Sequence, residues 1–243
     1  STDRRRHLWR RSGHPRLPEV VSTLADSLAS VRGQITAECN RLGRSEPLLI
    51  VVTKNHPAEL ARNLYDLGER NFGENRVQEG LPKSKELGKP DLNWHLIGQL
   101  QTNKVRQALE FASSVHSLDR ESLLSELAKR TAEREGSLEV FVQVNLTEDQ
   151  GRGGIQPGEL QSYADRVVSV PTLKLAGLMA VASLEASPER DFETIAELSM
   201  ELRKNHPNAS GLSIGMSGDY IEALSFGATH LRIGTAITGN RQY

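Results

Sequence analysis

The feature of this 243-residue chain that most limits its fold is an alternation of two patterns along its whole length. Short continuous apolar runs, rich in β-branched residues, are separated by stretches with helical spacing. Residues 48–52, Leu-Leu-Ile-Val-Val, are the first such run, the mark of a strand buried on both faces. Further runs lie near 70–73, 93–98, 114–118, 138–145, 173–179, 211–216 and 230–234, which makes eight. Between them, Pro57 opens a helix whose face is Leu60, Leu64 and Leu67, ended at Gly68. Leu123, Leu124, Leu127 and Ala128 follow the candidate N-cap Asp119, and Phe192, Ile195, Leu198 and Leu202 follow Pro188. Gly80 and Pro82 predict an interruption in the helix after the second strand. Strands that alternate with helices pair in parallel. An open doubly wound sheet and a closed barrel both satisfy the pattern. Eight strands, in a chain close to the ~250 residues typical of such barrels, favour an α/β fold of the (β/α)₈ TIM-barrel type.

One helix precedes the alternation. Leu24, Leu28, Val31, Ile35, Cys39 and Leu42 follow one helical face and Gly43 supplies a stop, so an extra N-terminal helix packed outside the barrel is expected. Residues 1–16 carry Arg4, Arg5, Arg6, Arg10, Arg11 and Arg16 against one acid, Asp3. A nucleic-acid arm and a solvated flexible tail both fit that charge. With Trp9 the only aromatic among the basic residues, the tail is the expectation, followed by one barrel domain over 17–243. The net charge of −1 gives no bias toward nucleic acid or an anionic membrane. No apolar run approaches the ~18–20 residues of a membrane span. Cys39 is the only cysteine, which excludes an internal disulfide and suggests a reducing, cytoplasmic setting. The seven histidines form no HExxH motif or close ligand cluster, so no metal is expected, and no GxGxxG, P-loop or GxSxG motif is present.

In a barrel of this kind chemistry gathers at the C-terminal ends of the strands. Lys54 follows the first strand directly, after Ile50 to Val52. Buried there, it would lose proton affinity through desolvation and serve as a carbonyl-directed nucleophile; the alternative is a lysine that snorkels to solvent. The second strand runs into Glu74 and Asn75, the third through His95 to Gly98, Gln99, Gln101, Asn103 and Lys104. This polar cluster reads either as a hydrogen-bonding wall beside a ligand ring or as loop and cap chemistry. The strongest signal is Met216-Ser217-Gly218-Asp219 after the seventh strand with Arg232-Ile233-Gly234-Thr235 at the end of the eighth. Barrels commonly bind phosphate with these two loops, using backbone N–H groups. Ser217 and Thr235 add hydroxyls, and Gly218 and Gly234 admit close approach; an ordinary N-cap is the plainer role for Ser217. Asp149 to Gly154 reads as a mobile rim, and His116 with Asp119 as structural residues rather than an acid–base pair.

Taken together, these residues resemble the pyridoxal phosphate homeostasis proteins, the YggS/PROSC family. The resemblance rests on Val52-Thr53-Lys54, Phe72-Gly73-Glu74-Asn75 with Val77-Gln78-Glu79, and Trp94-His95-Leu96-Ile97-Gly98 with Leu100-Gln101 and Asn103-Lys104. It continues through His116-Ser117-Leu118-Asp119, Gly177-Leu178-Met179, Gly215-Met216-Ser217 with Asp219-Tyr220, and residues 232–237. The motifs run in family order from about residue 17 to 241. The resemblance implies a fold-type III barrel, similar to the N-terminal part of alanine racemase, with pyridoxal 5′-phosphate (PLP) held as a Schiff base on Lys54. It further implies a cofactor site of Lys54, Asn75, His95, Met216, Ser217, Arg232, Gly234 and Thr235, with Arg232 facing the pyridine nitrogen and the last strand ends holding the phosphate. Arg152 and Thr238 depart from the family pattern, as do Ala180 and Val181.

The resemblance implies a non-catalytic, cytoplasmic and monomeric PLP carrier, with PLP-dependent apo-enzymes as recipients and neither nucleic acid nor membrane as partner. The alternative is a single-domain amino acid racemase of the alanine racemase barrel type. Racemases of that type add a C-terminal β-domain, and here the chain stops eight residues after Thr235, so that domain is expected to be absent. A Schiff-base aldolase acting on a phosphorylated sugar would use the same lysine and phosphate loops.

Overall fold

The computed structural model describes residues 19–149, 151–183 and 187–240, with side chains from Thr23 onward. The tail expected over 1–16 lies outside them. Eight parallel strands close into one barrel in chain order: β1 Leu48–Val52, β2 Asn71–Glu74, β3 Asn93–Leu96, β4 Ala112–Leu118, β5 Leu138–Gln143, β6 Leu173–Met179, β7 Gly211–Ser213 and β8 His230–Ile233. Pairing of β1 with β8, Leu48 opposite His230 and Val51 opposite Ile233, closes the circle and removes the open-sheet alternative. Ile50 and Val51 are fully buried, as expected where helices cover one face of a strand and side chains fill the other. The runs read at 93–98, 138–145 and 211–216 end earlier as strands, because their last residues leave the ladder to build the rim.

The intervening helices are α2 Ala58–Asp66, α3 Val77–Leu87, α4 Val105–Ala108, α5 Glu121–Thr131, α6 Leu160–Val168, α7 Pro188–Asn205, α8 Tyr220–Ser225 and α9 Thr235–Thr238. The extra helix, α1 Glu19–Leu42, buries Leu24, Leu28, Val31, Ile35 and Cys39 and packs against α8 and α9. Tyr220 donates its hydroxyl to Gln34 at 2.7 Å, and Arg44 donates to the Leu224 carbonyl at 2.6 Å. The extra helix therefore braces the two helices that follow β7 and β8.

Two expectations need correction. α3 is not interrupted, but runs through both Gly80 and Pro82. Pro82 forfeits only a bond to the carbonyl of Gln78, an exposed first-turn residue that water can reach. Gly80 is where the helix approaches its neighbours, since a Cβ there would meet the Phe111 ring at 2.6 Å. Asp119 does not cap α5. The cap position is Arg120, and Asp119 Oδ2 instead accepts from the Gly154 N–H and from Gln99 Nε2, both at 3.1 Å. It ties the glycine-rich loop after β5 to the rim, and Asn145 Nδ2 fastens the same loop through the Asp149 carbonyl at 2.8 Å.

Candidate functional site

Lys54 lies just past β1 in a turn closed by a hydrogen bond from the His56 N–H to the Thr53 carbonyl, 3.2 Å. Asn55 follows with φ +62°, in the left-handed region that asparagine tolerates better than most side chains. Of the two readings of Lys54, buried amine or lysine that reaches solvent, the structure shows the second. The sheet ends one residue earlier, and Lys54 stands exposed on the rim with no hydrogen bond or ion pair among the described residues. The burial falls instead on Thr53, whose hydroxyl donates to Glu74 Oε1 at 2.6 Å. Lys83 from α3 donates to the same oxygen at 2.6 Å and to the Thr53 carbonyl at 2.7 Å. Burial pushes the Glu74 carboxyl above the usual range, and Lys83 and Thr53 offset only part of that rise. Its Oε2 finds no partner among the described residues. The sequence reading missed the role of Lys83. The available signal was a lysine on the buried face that α3 forms with Val77, Gly80 and Leu87.

Across the β1–β8 seam stand the two loops read as phosphate-binding. Ser217 Oγ accepts from the backbone N–H of Gly234 at 3.2 Å and of Ala236 at 3.1 Å. Ser217 is therefore not a helix cap. That position belongs to Asp219, whose Oδ1 accepts from the Met216 N–H at 2.6 Å and so folds the loop between β7 and α8. The acid that would have opposed an anion is thereby turned into the loop's own turn. Two backbone donors thus converge on one hydroxyl oxygen. Gly234 is half-buried and Thr235 exposed, and a Cβ added at Gly218 would meet no protein atom within 4 Å. Met216 is half-buried beside the same loop. Asn75, half-buried at the end of β2, packs its backbone so closely on Gly98 that a Cβ there would lie 2.4 Å from the Asn75 carbonyl oxygen.

Beneath the rim the barrel interior is polar. His95 is 4% exposed, with Nδ1 2.7 Å from Ser114 Oγ and 3.1 Å from His116 Nε2, and Nε2 3.1 Å from Asn71 Oδ1. His116 continues the chain to Ser213 Oγ at 2.8 Å and stacks on Phe141. Arg232 completes it, donating to the Ser213 carbonyl and hydroxyl at 2.6 Å and to the Ala180 carbonyl at 2.9 Å. The wall read for His95 is corrected accordingly: both ring nitrogens are taken by protein partners, and the ring is part of the floor. Burial pulls His95 down to about 3 and Arg232 to about 10, so the first is neutral and the second charged near neutral pH. Among the described residues no group of histidine, cysteine and carboxylate side chains could hold a metal ion.

The strand order brings Lys54, Asn75 and the Ser217–Gly234–Ala236 bridge onto four adjacent strand ends, β7, β8, β1 and β2. A cleft of about 510 Å³, lined by residues including Arg76, Glu79, Gln99, Gln101 and Lys104, opens beside Asn75. No described helix is long and apolar enough to cross a membrane.

Residues 27–242 match the family model of the alanine racemase N-terminal domain. The pyridoxal phosphate homeostasis protein of Escherichia coli K12 is 38% identical over 231 residues, 92% of this chain and 99% of its own. That of Aquifex aeolicus is 37% identical over 224 residues, covering 90% of this chain and 98% of its own. PipY of Synechococcus elongatus, solved with PLP bound, superposes with a TM-score of 0.79 at 36% identity, covering 89% of this chain and all of that one. Alanine racemase of Clostridium difficile, at 13% identity and a TM-score of 0.73, shares the fold alone, and this chain spans 58% of it. By these matches the chain belongs to the pyridoxal phosphate homeostasis protein family, built on the alanine racemase N-terminal domain.

Proposed function

We propose that this chain binds PLP at the C-terminal rim of its barrel, carries it covalently on Lys54, and serves PLP homeostasis rather than amino acid turnover. The observation that carries the reading is the convergence of an exposed lysine, without a partner among the described residues, and a two-donor backbone cradle on neighbouring strand ends. The cradle fits a phosphate group. Both N–H groups rest on Ser217 Oγ here; a phosphate oxygen would displace that hydroxyl and take over the two donors, and such contacts are charge-assisted. Ser217 keeps its own proton to donate, and the exposed Thr235 hydroxyl adds a further donor.

When bound, PLP supplies an aldehyde for the lysine amine and an electron-withdrawing ring. The residues of this chain orient and restrain it. Asn75 and Met216 flank the site, and His95 supports its floor. Arg232 is the residue that would face the ring nitrogen. Lowered only to about 10 by burial, it stays charged at neutral pH and offers that nitrogen no exchangeable acid. The protein is then a cytoplasmic monomer that passes PLP to dependent apo-enzymes.

The test has two parts. Purified protein mixed with PLP should acquire a visible absorbance band that survives gel filtration at the monomer position. The loaded protein should then leave the α-proton of L- and D-amino acids in deuterated water essentially unexchanged by NMR. No retained band would refute binding, and exchange near ~1 s⁻¹ or above, the low end of ordinary enzymes, would replace the carrier with a compact racemase.

A further inference from the structure

We propose that α3 is a positioning element for Lys54: Glu79 and Lys83, one helical turn apart, hold the two peptide groups on either side of the Lys54 Cα. Lys83 Nζ donates to the Thr53 carbonyl at 2.7 Å, the C=O of the peptide that enters Lys54. Glu79 Oε2 accepts from the Asn55 N–H at 2.9 Å, which belongs to the peptide that leaves it. Residues four apart lie on one helix face, so a single rigid element grips both planes. Fixing them limits the backbone rotations of Lys54 and hence the direction in which its side chain leaves the rim. The amine itself stays untouched and exposed.

The surroundings support a purpose beyond closing the barrel. β1 and β2 already pair through Val51 with Phe72 and Val52 with Gly73, and both α3 contacts fall on the turn after that ladder ends. Glu74 Oε1, receiving Lys83 and the Thr53 hydroxyl, neutralises the buried ammonium and locks the residue before Lys54. Gly80 lies between the two anchors, where a Cβ would come 3.3 Å from Glu74 Cβ as well as striking Phe111. The glycine lets α3 settle directly on the end of β2. A buried ion pair is by itself weak evidence of stabilisation, since desolvation offsets its attraction. Its placement on the Lys54 peptide is what assigns it a task.

The proposal rests on the reading of Lys54 as the attachment lysine, and the experiment separates the two. The rate at which full-length protein captures PLP is followed by its visible band, with reductive trapping and peptide mapping to locate the label. Equilibrium binding of pyridoxine 5′-phosphate, which has the phosphate but no aldehyde, reports the phosphate grip alone. Misplacing reacting groups by about 1 Å can cost ~10²-fold, so releasing one of two anchors in Glu79→Ala should slow capture about tenfold. Pyridoxine 5′-phosphate affinity and melting temperature should hold. Glu79→Gln, whose amide oxygen still accepts from Asn55, should recover the wild-type rate. Lys83→Met should slow capture further; if it fails to fold, the Glu79 pair decides alone. Equal rates for wild type and Glu79→Ala would overturn the proposal. So would a parallel loss of capture and pyridoxine 5′-phosphate binding, the mark of general loosening. A wild-type label on another lysine would remove the underlying reading, and this proposal with it.

Discussion

Ser217 is a single hydroxyl that joins two loops. Its Oγ takes the N–H groups of Gly234 and Ala236, so Ser217→Ala removes the group around which the cradle is organised. The loss of one hydrogen bond to a charged group should weaken PLP retention by about 1–3 kcal/mol. The melting temperature of the cofactor-free protein should move little, because Ala236 is exposed and Gly234 half-buried, so water can replace the hydroxyl. Equilibrium dialysis and thermal melting together check this. Unchanged affinity with a large drop in melting would make Ser217 a structural bridge only. The places of Lys54, Ser217 and Gly234 at strand ends were legible in the sequence because the apolar run before each of them stops there. Glu79 and Lys83 were not legible as a pair with Lys54. Contacts between one turn and a helix 24 to 30 residues later leave no period to read. His95 was misread in depth rather than in face: strand alternation tells inward from outward, but not floor from rim.

At the scale of elements, the eight runs and their helices were visible because a doubly buried parallel strand writes a continuous apolar run. What the sequence could not weigh was Gly80 and Pro82 in α3, where tertiary packing overrides helix propensity. Glycine plays a stricter part between β6 and β7. Gly177 pairs with Gly211, and a Cβ on Gly177 would sit 1.8 Å from the Gly211 carbonyl oxygen. The obstacle is backbone, which cannot swing aside. Gly177→Ala should therefore destabilise the fold by about 3 kcal/mol, the upper end for overpacking. Chemical denaturation would measure it, and a loss under ~0.5 kcal/mol, the ordinary range for surface changes, would show that the two strands can separate at no cost.

The whole molecule carries a pH dependence in its polar interior. Burial lowers His95 to about 3 and His230 to about 4, with His116 also well below its ordinary value of 6.5. These rings are neutral in the folded protein and take up protons in the unfolded chain, so stability is complete above about pH 6.5. It is lost as the pH falls from there toward 4 and 3. Glu74 and Asp219, raised by burial, act in the opposite sense, in the carboxylate range. Melting temperature should drop by roughly 5–10 °C between pH 7 and 5, and His230→Gln should flatten that slope. A flat profile in the wild type would mean that the interior admits protons freely.

The same barrel presents Lys54 on its rim, and cofactor attachment depends on that lysine above all. The direct measurement is to incubate the protein with PLP, reduce with borohydride, digest, and map the phosphopyridoxyl group by mass spectrometry. One label is expected, on the peptide containing Lys54, approaching one per chain. A label on another lysine, or one spread over several surface lysines, would contradict it.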